Sequence, residues 1–325
     1  MAEHKVIITD CDHESMEIES RILDAAGISF AHKACLSEDD VVSEGQGATV
    51  FLNQYAPITD KVMRSLPDLK LVVRYGVGVN NVDLEAATRH GVQICNVPDY
   101  GTHEVADHAL ALMLALTRKI VLMNEAVHRG EWNYTKSIPI FRHSETTVGV
   151  IGVGRIGTAF ANKVHALGCQ VIGYDPKHRE KPSRTLPAHI QLVGLEELLA
   201  TSDVVSIHCP LDTARNLIDE AELRLMKQTA YLINVSRGGI VNETALDLAL
   251  EQGWIAGAAA DVAEVEPLPS DSPLLRHSQF LCTPHMAWYS EQAALELKRK
   301  VAEEAVRFLR GEQVHYPVNQ LSYKI

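Results

Sequence analysis

Residues 146–176 read TTVGVIGVGRIGTAFANKVHALGCQVIGYDP, and their reading decides the fold. An apolar, β-branched run leads into Gly152, Gly154 and Gly157, spaced G-x-G-x-x-G, and a helical pattern follows directly. The three glycines serve in turn a tight turn, backbone access for a pyrophosphate, and close helix–strand packing. The first turn of the helix offers free N–H groups and the positive end of its dipole to phosphate. A second apolar run ends at Asp175, 175 − 157 = 18 residues past the last glycine. A carboxylate there accepts hydrogen bonds from the adenosine ribose hydroxyls and repels a 2′-phosphate, favouring NAD over NADP. Lys177 and Arg179 nearby pull the other way. By itself the motif is equally a tight turn with a capping aspartate; its strand–helix setting favours the dinucleotide.

Outward from this unit the same alternation repeats. DVVSIHCP, AYLINVS, IAGAAADV and QFLCTPH are further apolar runs bounded by turn signals. Upstream, KVIITD, ATVFLNQ, LKLVVRYGVG and VQICNVP read as strands, the first followed by the helical ESMEIESRILDAAG. Strands alternating with helices predict parallel sheets covered on both faces. Residues 102–130 read as one long helix, too densely apolar for a narrow stripe, so burial against a neighbouring domain or subunit is expected. Packing of that helix across a two-fold axis would give a homodimer. The polar HREKPSRTLP reads as a surface connection, and SEQAALELKRKVAEEAVRFLRG as a closing charged helix.

Bulk properties narrow the function. A chain of 325 residues is long enough for two filled cores. Its net charge of −12, without clustered Lys or Arg, argues against direct nucleic-acid binding. The opening MAEHKVIITD is too short and charged for a signal peptide. The apolar ALALMLALT, closed by His108 and Arg118, falls far short of the roughly 20 residues of a membrane span. Six scattered cysteines without a C-x-x-C pair read as reduced thiols of a cytoplasmic protein. No metal-ligand spacing stands out, so no metal is expected.

Three polar residues sit past later strands, where open α/β sheets bind ligands. They are Arg237 in LINVSRGGIV, Glu266 in AADVAEVEPLP and His285 in CTPHMAW. Singly they read as a surface ion pair, a solvated carboxylate and a core histidine. Together they supply what hydride transfer between a carbonyl and nicotinamide requires. The arginine holds a substrate carboxylate, the histidine exchanges the proton, and the glutamate orients the imidazole and favours its charged form.

In order and spacing, GVGVNNVD, GVIGVGRIG, YDP, HCPL, NVSRGG, DVAEVEP and TPHMAW resemble the D-isomer-specific 2-hydroxyacid dehydrogenase family, over residues 50–316. The resemblance implies two doubly wound parallel-sheet α/β domains with an interdomain cleft. They would be a flavodoxin-like substrate domain, 1–100 plus 291–325, and a Rossmann NAD-binding domain, 101–290. It implies catalytic roles for Arg237, Glu266 and His285. It implies cofactor contacts from Gly152, Gly154, Arg155, Ile156, Gly157, Asp175, Cys209, Pro210, Thr213, Val235, Ser236, Asp261 and His285. Of these, Asp261 would bond the nicotinamide carboxamide, and Thr213 is aligned in CPLDTARN, one residue shorter than the common CPLTPETRN. It implies substrate contacts from Arg74, Tyr75, Gly76, Val77, Gly78, Arg237 and Trp288, for a small 2-oxo or 2-hydroxy acid.

Within the family, RYGVGVNNVD and HMAWYSEQ look closest to the C-terminal-binding-protein branch of NADH-sensing corepressors, where Arg74 and Trp288 line the pocket. A dehydrogenase of glyoxylate or hydroxypyruvate is therefore expected, with a corepressor-like sensor as the alternative. Ending at Ile325, the chain is expected to lack the regulatory domain of longer phosphoglycerate dehydrogenases and the disordered tails of the corepressors.

Overall fold

A computed structural model describes residues 5–12, 15–180 and 185–321. The chain forms two compact units, one built before Thr102 and after Tyr289, the other from Thr102–Tyr289. In the first unit the strands are β1 Val6–Ile8, β2 Phe30–His32, β3 Val50–Asn53, β4 Leu71–Arg74 and β5 Gln93–Cys95. They pair in parallel in the order β2-β1-β3-β4-β5. This is the flavodoxin-like winding, with its switch point between β1 and β3. Burial of Val6, Ile8, Val50, Phe51, Leu71 and Val72 explains the unbroken apolar runs. A strand covered on both faces has no polar side to alternate with.

The second unit contains β6 Thr147–Ile151, β7 Gln170–Tyr174, β8 Ile190–Leu192, β9 Val204–Ile207, β10 Tyr231–Asn234, β11 Gly257–Ala260 and β12 Phe280–Cys282. All pair in parallel, in the order β12-β11-β10-β9-β6-β7-β8. The winding reverses between β6 and β9, at the carboxyl ends where a dinucleotide crosses a Rossmann sheet. The helix Arg155–Ala166 covers β6, and its Phe160 and Val164 meet Ala106, Ala109 and Met113 of the helix Thr102–Thr117.

The expected single helix over 102–130 is in fact two, Thr102–Thr117 and Ile120–His128. Lys119 takes a left-handed φ of 52° and donates its amide to Leu116 O, which closes the first helix in a tight turn. The apolar surface divides with it. The inward face of the first helix is buried within its own unit, whereas Ile120, Val121 and Val127 of the second are exposed. β2 and β8 carry no strand signal in the sequence; each is a three-residue strand at a sheet edge. Of the polar connection HREKPSRTLP, residues 181–184 lie outside the described residues. No described helix is long and apolar enough to cross a membrane, and no described His, Cys, Asp or Glu group could hold a metal ion.

Candidate active site

The glycine turn follows β6. Gly152 has φ +88°, which side-chain-bearing residues rarely adopt, and a Cβ there would come 2.7 Å from Cys209 N. A Cβ on Gly157 would lie 2.0 Å from Gly152 O, so the helix can approach its strand only with glycine there. Gly154 is the N-cap of the helix Arg155–Ala166; no side chain caps it and no atom crowds its Cβ position. The helix start at Arg155 and Ile156 therefore opens on space, as a diphosphate requires. Asp175, just past β7, accepts from Val153 N at 3.2 Å and His178 N at 2.9 Å. Each oxygen keeps a lone pair for a ribose hydroxyl. These residues fit a dinucleotide.

The opposite wall comes from the ends of β9 and β10. Ser236 Oγ donates to Cys209 O at 2.9 Å, joining the two strand ends, and Val235 is buried. Burial and the Asp175 charge push the Cys209 thiol up to about 11, so it stays protonated. Its neighbour His208 is desolvated at the imidazole, which pulls it down to about 3 and keeps it neutral. Past Pro210, Thr213 lies in the 3₁₀ turn Leu211–Thr213, and Asn216 N bonds to Gly239 O at 2.8 Å.

Arg237, Glu266 and His285 lie at the ends of β10, β11 and β12, neighbours in the sheet. His285 Nδ1 is 2.6 Å from Glu266 Oε2, with both side chains 39% exposed. Glu266 Oε1 accepts the Ala263 amide at 3.0 Å. Burial pushes the Glu266 carboxyl up, but the bonds from His285 and Ala263, with the charges of His285 and Arg237, hold it below 4.5. Arg237 rests Nη1 on Ser236 O at 2.7 Å. Gly238 makes this convergence possible: a Cβ there would stand 1.8 Å from Ala263 O.

His285 has φ +52°, uncommon for a non-glycine residue and a mark of a site the surroundings over-determine. Its amide donates to Asp261 O at 2.8 Å. The Asp261 carboxylate, 1% exposed, accepts Met286 N at 3.0 Å and Ala287 N at 2.8 Å. It also accepts the Thr283 hydroxyl at 2.6 Å. Asp261 therefore braces the His285 turn, with one lone pair on Oδ2 left for a ligand. His108 and Thr283, which sequence reasoning passed over, stand behind it: His108 Nε2 is 2.9 Å from Thr283 Oγ1. The one available signal was a histidine inside an apolar helix.

In the other unit, Arg74 ends β4 and Tyr75 to Gly78 follow it. No described group accepts the amides of Val77 and Gly78, while Val77 O takes the Asn96 side chain at 2.7 Å. The Arg74 guanidinium lies against the Gly76 backbone. The Tyr75 ring is buried, its hydroxyl donating to Glu19 at 3.0 Å. Trp288 packs edge-on to Tyr289, 5.5 Å between centroids.

Comparison with known proteins places the chain among dehydrogenases of 2-hydroxy acids. The family model described as "D-isomer specific 2-hydroxyacid dehydrogenase, NAD binding domain" matches residues 110–287. A glyoxylate reductase of Korarchaeum cryptofilum is 38% identical over 273 residues, 83% of this chain and 82% of that one. A glycerate dehydrogenase of Methylorubrum extorquens is 33% identical over 93% of this chain and 95% of its own. The structure of Aquifex aeolicus D-lactate dehydrogenase complexed with NAD and lactic acid superposes with a TM-score of 0.83 at 26% identity, covering 94% of this chain and 96% of that one.

Proposed function

The chain belongs to the D-isomer-specific 2-hydroxyacid dehydrogenase family, NAD-dependent oxidoreductases of 2-hydroxy acids, and from that premise we propose that it reduces a small 2-oxo acid of the glyoxylate or hydroxypyruvate kind to the D-2-hydroxy acid. The observation that carries this reading is the 2.6 Å pairing of His285 with Glu266 beside Arg237.

The residues divide the work by their chemistry. Arg237 holds the substrate carboxylate, a planar anion suited to a guanidinium fork. Glu266, kept ionised, receives Nδ1–H of His285, which leaves Nε2–H to donate to the carbonyl oxygen. Gly152, Gly154 and Gly157 would hold the phosphates of NADH and Asp175 its ribose; the cofactor bound there would supply the hydride.

Exposed Ile120, Val121, Val127, Trp132, Tyr134, Ile138 and Phe141 lie close together in sequence on the second unit. Trp132 is 89% and Tyr134 77% exposed, an apolar display that supports a homodimer through this surface. Steady-state NADH oxidation with a panel of 2-oxo acids tests the activity. Rapid turnover of a short acid is expected. Slow turnover of every acid beside tight NADH binding would replace the enzyme with a sensor.

A further inference from the structure

The inward face of the helix Thr102–Thr117 is otherwise alanine, leucine and methionine, yet it carries one imidazole toward the catalytic turn. His108 Nε2 is 2.9 Å from Thr283 Oγ1 and 3.6 Å from Asp261 Oδ1. Thr283 has a single hydroxyl proton, and the 2.6 Å contact with Asp261 Oδ1 claims it, because two bare oxygens at that distance repel. The Thr283 oxygen is then an acceptor, and His108 Nε2 carries the hydrogen it receives. Beyond Asp261 the order continues. Its carboxylate takes the amides of Met286 and Ala287, and its carbonyl takes the amide of His285.

Resting on the catalytic reading of His285, we propose that His108 is a positioning residue, acting through the Thr283 hydroxyl to orient the Asp261 carboxylate that fixes the His285 turn. The polarity of the chain is set at its far end. With Nε2–H pointing at Thr283, the hydroxyl has one direction open, toward Asp261, and Asp261 one orientation that serves both amides. A left-handed histidine persists only while such contacts outnumber its alternatives. His108 touches neither substrate nor the reacting atoms; its effect reaches them through the backbone of residues 285–287.

The test uses the full chain with His108→Leu, His108→Gln, Thr283→Val and Thr283→Ser. His108→Leu and Thr283→Val should each lower kcat about tenfold, since small misplacements of a catalytic group are costly, with KM changed less than about twofold. The double variant His108→Leu/Thr283→Val should be no slower than Thr283→Val alone, because both cut one chain of contacts. The donors retained in His108→Gln and Thr283→Ser should bring kcat back near wild type. Amide hydrogen exchange, which needs no turnover, should quicken at Met286 and Ala287 in His108→Leu while the helix Thr102–Thr117 stays protected. Unchanged kcat in both Leu and Val variants, multiplicative losses in the double variant, or exchange rising along the whole helix would overturn the assignment. A wild type that reduces no 2-oxo acid would instead sink the catalytic reading, with the exchange measurement still deciding the role of His108.

Discussion

His285 Nδ1 and Glu266 Oε2 meet at 2.6 Å across a sequence separation of 19, on loops leaving the adjacent strands β12 and β11. The contact commits one imidazole nitrogen to the carboxylate and, in the proposed mechanism, leaves the other for the substrate. Proton transfer by a placed side chain contributes roughly 10²–10⁴-fold, so His285→Ala should lower kcat by that range. Steady-state turnover with saturating NADH measures it, and an unchanged rate refutes the role.

Acid should dismantle the same pair. The Glu266 carboxyl is held below its ordinary 4.5, so its contribution to stability is complete above that value and is lost as pH falls through the lowered one. The melting temperature of Glu266→Gln should lie below wild type at pH 7. The gap should narrow progressively below pH 4.5. Thermal melts across this range decide it; a gap that widens in acid is the contrary result.

Gly238 is where the Arg237 and Glu266 segments touch. A methyl there would meet Ala263 O at 1.8 Å, so Gly238→Ala must push the segment carrying Glu266 outward. Overpacking of this kind costs about 1–3 kcal/mol, and kcat should fall more than substrate affinity. Denaturant melts and a kcat/KM comparison would register both.

Asp175→Ala should weaken NADH binding by roughly tenfold or more, the worth of a charge-assisted hydrogen bond. Fluorescence titration of NADH reads this directly. Equal affinity would reject the ribose contact.

The exposed apolar side chains of the second unit give a test of assembly. Sedimentation at micromolar concentration should give twice 35.8 kDa for wild type and 35.8 kDa for Trp132→Asp/Phe141→Asp. A monomeric wild type would remove the dimer.

Much of this architecture is legible in the sequence because the buried parallel strands print their burial as apolar runs, as at Val148, Val150 and Ile151. What escapes lies where burial is weak or local geometry decides. Phe30–His32 and Ile190–Leu192 are edge strands whose pairing on one side leaves little imprint on three residues. The break at Lys119 rests on one left-handed residue inside a continuous apolar pattern, which periodicity cannot register. The dinucleotide turn is legible because spacing and geometry coincide in it. The approach of Glu266 to His285 follows from chemistry and motif order, since nothing local in either segment encodes a contact 19 residues away. The bracing of His285 by Asp261, Thr283 and His108 leaves no motif at all.

The two amides that Asp175 holds, Val153 and His178, give that carboxylate a second employment besides the ribose contact proposed for it. Any exchange of Asp175 for a residue welcoming a 2′-phosphate would release the glycine turn at Val153 at the same stroke. Retuning this protein toward the phosphorylated dinucleotide is therefore a coupled change. A new anion partner must arrive together with a substitute acceptor for the Val153 amide, so single substitutions at this position descend before any path rises.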